Sequence, residues 1–284
     1  MEHGHEIDTL ILLHNNSPLQ EFLGLSLNQM HSLLYETFTA DSPVQLSNDI
    51  DEGTLDQIPL FLIGEAVMKV IEREQQIKLT PLGALPKKVV VEVYDKRFLI
   101  DELIAKGIYK LWREEDCITV LNARLACTAA GLIKKVNGKL TLTKKGAKLL
   151  APGCRVQLFH NFFEGFTTKL LWSFNDGYPE GQAGQLGWAF SILLLHKFEG
   201  EERPVAFYAD KYLKAFPEFI HRFGNSYNSP EDEFTRCYTC RVFTRFMIWF
   251  GFAKIEGEKE YSYKENRKVR STAIFPGIFK FDVE

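Results

Sequence analysis

The sequence predicts a mainly α protein with short β-hairpins, in which helix-and-hairpin units adjoin an aromatic-rich helical domain. Three observations predict it. Ile118, Leu121, Leu125, Ala129 and Leu132 recur at helical spacing and lead into two short stretches joined by Asn137-Gly138, a preferred hairpin turn. A second run beginning at Ser229 repeats the order helix, glycine, hairpin. Of the 23 phenylalanines, 19 follow residue 158, which implies a core or partner surface built from rings.

In chain order, residues 1–17 show no clear period, and Asn15 to Pro18 read as a loop. Ser26 caps a helix over 27–35, whose apolar positions 27, 30, 33 and 34 share one face. Residues 40–59 are acidic and rich in turn formers and read as a long loop. A helix over 60–74, a short strand near Ile77 and the start of another helix after Pro86 follow. Leu79-Thr80-x-x-Gly83-Ala84 recurs as Leu142-Thr143-x-x-Gly146-Ala147, which suggests a repeated supersecondary unit. A supporting helix is expected over 98–112 and a second helix over 116–131, with Glu114, Glu115 and Asp116 at its positive end. The hairpin 132–142 and a helix from Thr143 to Leu150 complete this stretch.

Ala151-Pro152-Gly153 breaks the chain. Three domains are therefore expected: an acidic N-terminal segment (1–59), a helix-and-hairpin domain (60–150) and a helical domain (151–284). Helices are expected in the last over 154–172, 183–198 and 206–216. Another runs from the Ser229 cap, with Pro230 in its first turn, to about Phe250. A hairpin through 252–264 and an extended tail over 273–283 follow.

The stretch 97–150 resembles a winged helix-turn-helix, and the hairpin after Gly251 resembles a second, degenerate wing. Separately, Gly24-Leu25-Ser26-x-x-Gln29-Met30, Ser42-Pro43-Val44 and Lys78-Leu79-Thr80-x-x-Gly83-x-Leu85-Pro86 resemble elements of a set of uncharacterised bacterial proteins. Leu27 stands where those proteins commonly have proline. That resemblance implies no activity, cofactor or catalytic residue.

A winged helix binds duplex DNA with its second helix in the major groove and its wing on the backbone. From Arg124 to Lys148 the chain has seven basic residues and no acid: Arg124, Lys134, Lys135, Lys139, Lys144, Lys145 and Lys148. On the candidate reading helix, Thr119, Asn122 and Arg124 lie off the apolar stripe, and Arg and Asn suit guanine and adenine edges. Duplex DNA is thus one expected partner. The other is a protein, because winged helices also serve as contact modules and the pI of about 6.2 is not that of a dedicated DNA binder.

No phosphate loop, nucleophile elbow or zinc-protease motif occurs, so no catalytic residue and no cofactor is expected. Cys237 and Cys240 lack a second ligand pair, which argues for structural thiols and no metal site. His160, His196 and His221 sit among aromatics and read as core or groove residues. With no export signal and no apolar run of spanning length, reduced cysteines in a cytoplasmic protein without membrane contact are expected. Residues 1–68 carry eleven acids and no Lys or Arg, while the remainder is net +8. Asp41, Asp49, Asp51, Glu52 and Asp56 are accordingly expected near a basic surface.

Overall fold

The computed structural model describes residues 2–174, 176–179, 181–224, 228–257 and 267–283, with the backbone alone for 2–7. The elements run α1 (2–16), α2 (27–35), β1 (44–46), α3 (52–55), α4 (59–74), β2 (77–78), α5 (87–94), α6 (102–105), α7 (118–129), β3 (133–136), β4 (139–142), α8 (144–150), α9 (155–164), α10 (188–197), β5 (203–204), α11 (205–215), α12 (230–238), β6 (253–256), β7 (268–271), α13 (275–278) and β8 (279–281). Wider π-type turns extend α9 over 165–169 and α12 over 239–247. The protein is mainly α with small antiparallel sheets of two or three strands.

The chain divides into two compact units that interleave along the sequence. A central unit holds 48–171 with 249–251, and a split unit holds 1–47, 172–248 and 252–284. The break at Ala151-Pro152-Gly153 therefore ends α8 without ending a unit. The reason is packing: α9 lies on α4 and α8, and a Cβ on Gly64 of α4 would come within 2.6 Å of the Phe162 ring.

Apart from the four-residue α6, both units have one connectivity: helix, short strand, helix, helix, antiparallel strand pair. In the central unit these are α4, β2, α5, α7 and the β3–β4 hairpin, in sheet order β2-β4-β3. In the split unit they are α10, β5, α11, α12 and the strands β6 and β7, in order β5-β7-β6. The expected return strand at 260–264 falls outside the described residues, and the strand that pairs with β6 is 268–271.

The local signals explain most of the elements. Ser26 and Gln29 form a reciprocal capping box at α2: the Gln29 N–H donates to Ser26 Oγ and the Ser26 N–H to Gln29 Oε1. This accounts physically for the Ser-x-x-Gln element. Asn137 and Gly138, at φ 48° and 71°, make the two-residue turn between β3 and β4. Thr143 caps α8 and Ser229 caps α12.

Other expectations are corrected. Residues 2–16 form a helix, not an aperiodic stretch ending in a loop; positions 8–14 are all exposed, so no buried face imposes a period. The acidic loop contains β1, which pairs with β8, and α3, which Asp51 caps. Only residues 102–105 of the expected support helix are helical, because Gly107 turns at φ 71° and the Leu103 carbonyl accepts both the Ile108 and Tyr109 N–H. The tail is extended only at β8, after the short α13. The repeated Leu-Thr-x-x-Gly-Ala copies follow β2 and β4, adjacent strands of one sheet, so they mark two strand-to-helix exits within the central unit.

Gly146 shows how tightly that unit closes. A Cβ there would lie 2.0 Å from the Leu132 carbonyl oxygen, which is backbone and cannot rotate away. Gly146→Ala is expected to cost about 1–3 kcal/mol or more by overpacking. Thermal unfolding checks this, and an unchanged midpoint would mean that α8 shifts freely.

Candidate nucleic-acid interface

The helix expected to read bases, α7, is largely internal to its unit. It packs against α4 and α5 and also against α9 and the 165–169 turn. Residues 120–123, 126 and 127 are buried. A helix that is apolar nearly all round belongs in a core, and α7 behaves so.

The three off-stripe residues follow suit. Asn122 is buried and its Nδ2 donates to the Ile118 carbonyl at 2.8 Å. Arg124 is 12% exposed at its side chain and grips Glu114, which is fully buried: Nε to Oε1, and Nη2 to Oε2 at 2.9 Å. The same Glu114 Oε2 accepts the Leu85 N–H at 2.9 Å. Glu114 thus serves as an internal acceptor and does not decorate the start of α7. Thr119 is half-buried and lies 3.5 Å from the Cys117 sulfur. Asn122 and Arg124 are committed to the fold, and sequence reasoning missed Glu114 as the partner because ten residues separate it from Arg124.

The lysines are placed differently. Strand alternation puts Ile77, Ile133 and Leu140 on the inner face of the β2-β4-β3 sheet. Lys78, Lys134 and Lys139 share the opposite face with Val136 and Thr141. Lys78 and Lys139 are direct cross-strand partners, and β4 brings Thr141 opposite Lys134. On α8, Lys144 and Lys148 are one turn apart and exposed, while the Lys145 ammonium donates to the Ala130 carbonyl at 3.1 Å. Lys135 projects on the inner row but reaches past the sheet to the Gly83 turn. None of Lys78, Lys134, Lys135, Lys139, Lys144 and Lys148 has an ion-pair partner among the described residues.

The acids of residues 49–56 do not meet these lysines. Asp51 accepts from the Thr54 N–H and hydroxyl, which holds its carboxyl below the usual range. Glu52 and Asp56 bind Arg155 at 2.7 and 2.8 Å, joined by Glu65 at 2.9 Å. Burial works against the Arg155 charge, but the hydrogen bonds it donates to the three carboxylates outweigh it. This cluster lines a groove of about 770 Å³ with Phe98, Leu149 and Leu158. Arg155 is the basic group that the acidic segment finds, and sequence reading did not single it out.

All five cysteines remain thiols. Cys127 is buried, and burial pushes its pKa up to about 12, so it is chemically quiet. Cys237 and Cys240 lie within the long helical run 230–247. His160 and His196 are half-buried, and His196 stacks on Phe281 with ring centroids 3.7 Å apart; His221 is exposed, not a core residue. No helix among the described residues is long and apolar enough to cross a membrane.

Residues 56–154 match the family model described as the Y4jL N-terminal domain. The match encloses the central unit from α4 through α8, including the whole lysine-bearing sheet. No curated protein and no solved structure matches the chain.

Proposed function

We propose that the chain is a DNA-associated protein, regulatory in role, that grips the phosphate backbone through the hairpin sheet and α8 of a winged-helix central unit. The observation that carries this reading is the outer face with Lys78, Lys134 and Lys139. Lys78 and Lys139 stand directly opposite each other, and like charges there are destabilising unless an anion relieves them. Lys144 and Lys148 extend the charge onto the next element. The commitment of Asn122 and Arg124 to internal bonds favours backbone contact over base reading, hence weak sequence preference.

The test is binding to random duplex DNA across a salt series. Changing Lys134, Lys139 and Lys144 to Glu is expected to weaken binding and to flatten the salt slope by roughly 0.9 for each phosphate that is no longer neutralised. Wild-type protein that binds no duplex at low salt would end the proposal. A second reading, an interaction scaffold without catalysis, draws on the burial of α7. Under it the triple variant would lose a protein partner and no DNA affinity.

A further inference from the structure

The insertion between α5 and α7 carries two exposed aromatic side chains, three residues apart, that the phosphate-gripping sheet does not use. Of the four tryptophans, Trp172, Trp188 and Trp249 are 5%, 5% and 7% exposed, whereas Trp112 is 60% exposed. Tyr109, three residues earlier, is 61% exposed, and Ile108 beside it is open as well. Apolar side chains exposed together on one segment mark an interaction surface.

The backbone that carries the rings is held in place. The Asp116 carboxylate accepts the backbone N–H groups of Trp112 and Arg113 at 2.9 and 2.8 Å. The Leu103 carbonyl accepts the Ile108 and Tyr109 N–H groups, and the Glu114–Leu85 bond ties the end of the insertion to the start of α5. Cations lie over the Trp112 ring. Lys87 Nζ lies 4.1 Å from the Trp112 ring centroid and Lys110 Nζ lies 5.9 Å away. Arg113 adds a third charge, with Asp116 at 3.7 Å from its guanidinium. The acids nearby are largely engaged: Glu114 by Arg124, Asp116 by backbone, Glu102 by Lys106, leaving Glu115 exposed.

We infer that Tyr109 and Trp112 form a stacking site for unpaired nucleotide bases, with Lys87, Lys110 and Arg113 meeting the adjoining phosphates. Flat rings interleaved with cations suit single strands, since every base has a stacking face and duplex bases keep theirs covered. The position fits the rest of the unit. The Lys135 ammonium stands 3.3 Å from where a Cβ on Gly83 would lie, and Lys87 is four residues further on, a reach of at most about 14 Å.

This inference rests on the nucleic-acid reading above, and one experiment separates their failures. Because Trp112 is the exposed tryptophan, intrinsic fluorescence reports the site without labels. The probes are a dT oligonucleotide longer than the roughly 4–16 nucleotides such a site occupies and a blunt random duplex. We expect dT to quench the wild-type emission. Tyr109→Ala and Trp112→Ala should each lower dT affinity about tenfold, about 1.4 kcal/mol, with duplex affinity unchanged and circular dichroism like wild type. Trp112→Phe should keep most of the dT affinity; since both Trp112 variants lose the reporter, their affinities are read by titration calorimetry. Duplex binding with no dT quenching, or dT affinity indifferent to both alanine variants, overturns the stacking site and leaves the lysine sheet standing. Quenching by dT without duplex binding supports the stacking site and overturns the duplex reading. Binding of neither probe overturns both. If Trp112→Ala fails to fold, wild-type quenching and Tyr109→Ala decide.

Discussion

Arg124→Ala is expected to destabilise the protein by about 3–5 kcal/mol, measured by urea unfolding in the absence of any DNA. The variant strands the fully buried Glu114 carboxylate with the Leu85 N–H as its remaining polar contact. Attraction between the two charges offsets their desolvation only while both are present. The double variant Glu114→Gln, Arg124→Met removes the charges together and should recover most of the loss. The measurement matters for function, because a folding defect at Arg124 would imitate a direct role in gripping DNA. An Arg124→Ala protein with wild-type unfolding and reduced DNA affinity would return Arg124 to a base-reading role.

Asp176→Ala is expected to produce a loss of the same size, about 3–5 kcal/mol, in the split unit. Both side chains of the Asp176–Arg241 pair are fully buried, with Nε to Oδ2 at 2.6 Å and Nη2 to Oδ1 at 3.1 Å. Arg241 also donates to the Ala183 carbonyl at 3.0 Å and lies over the Tyr178 ring. Burial opposes the Arg241 charge and the Asp176 hydrogen bonds more than restore it; a guanidinium is not deprotonated in proteins, so a cation remains when the acid is removed. Arg241 belongs to the π-type turn 239–247, where the widened helix carries this charge inside the unit. Thermal unfolding of Asp176→Ala beside Asp176→Leu, Arg241→Met separates weakened packing from the stranded charge. A single variant as stable as wild type would show that water reaches Arg241.

The candidate site was legible in part. The lysines at 134, 139, 144 and 148 could be placed from sequence because strand alternation and helix spacing state which way a side chain points once the element is known. Asn122 and Arg124 could not. Leaving the apolar stripe of a helix means only that a residue faces away from the first packing partner, and α7 has a second layer in α9 and the 165–169 turn. Tyr109 and Trp112 escaped notice because large rings at irregular spacing read as core until their exposure is known.

The sequence by itself determined the elements whose causes are local. These are the α2 capping box at Ser26 and Gln29, the turn at Asn137-Gly138, the Thr143 and Ser229 caps, and the helix-then-hairpin order over 118–142. Each depends on hydrogen bonds or steric limits acting within a few residues. Only the tertiary structure decided the pairing of β1 with β8, more than two hundred residues away, the addition of β2 to β4 and of β5 to β7, and the reach of Arg155 to Glu52, Asp56 and Glu65. It also decided that the units interleave along the chain, so that neither follows the break at Pro152. The physical reason is that pairing and burial depend on which surfaces meet after the chain has closed long loops, and residue order alone carries no record of that meeting.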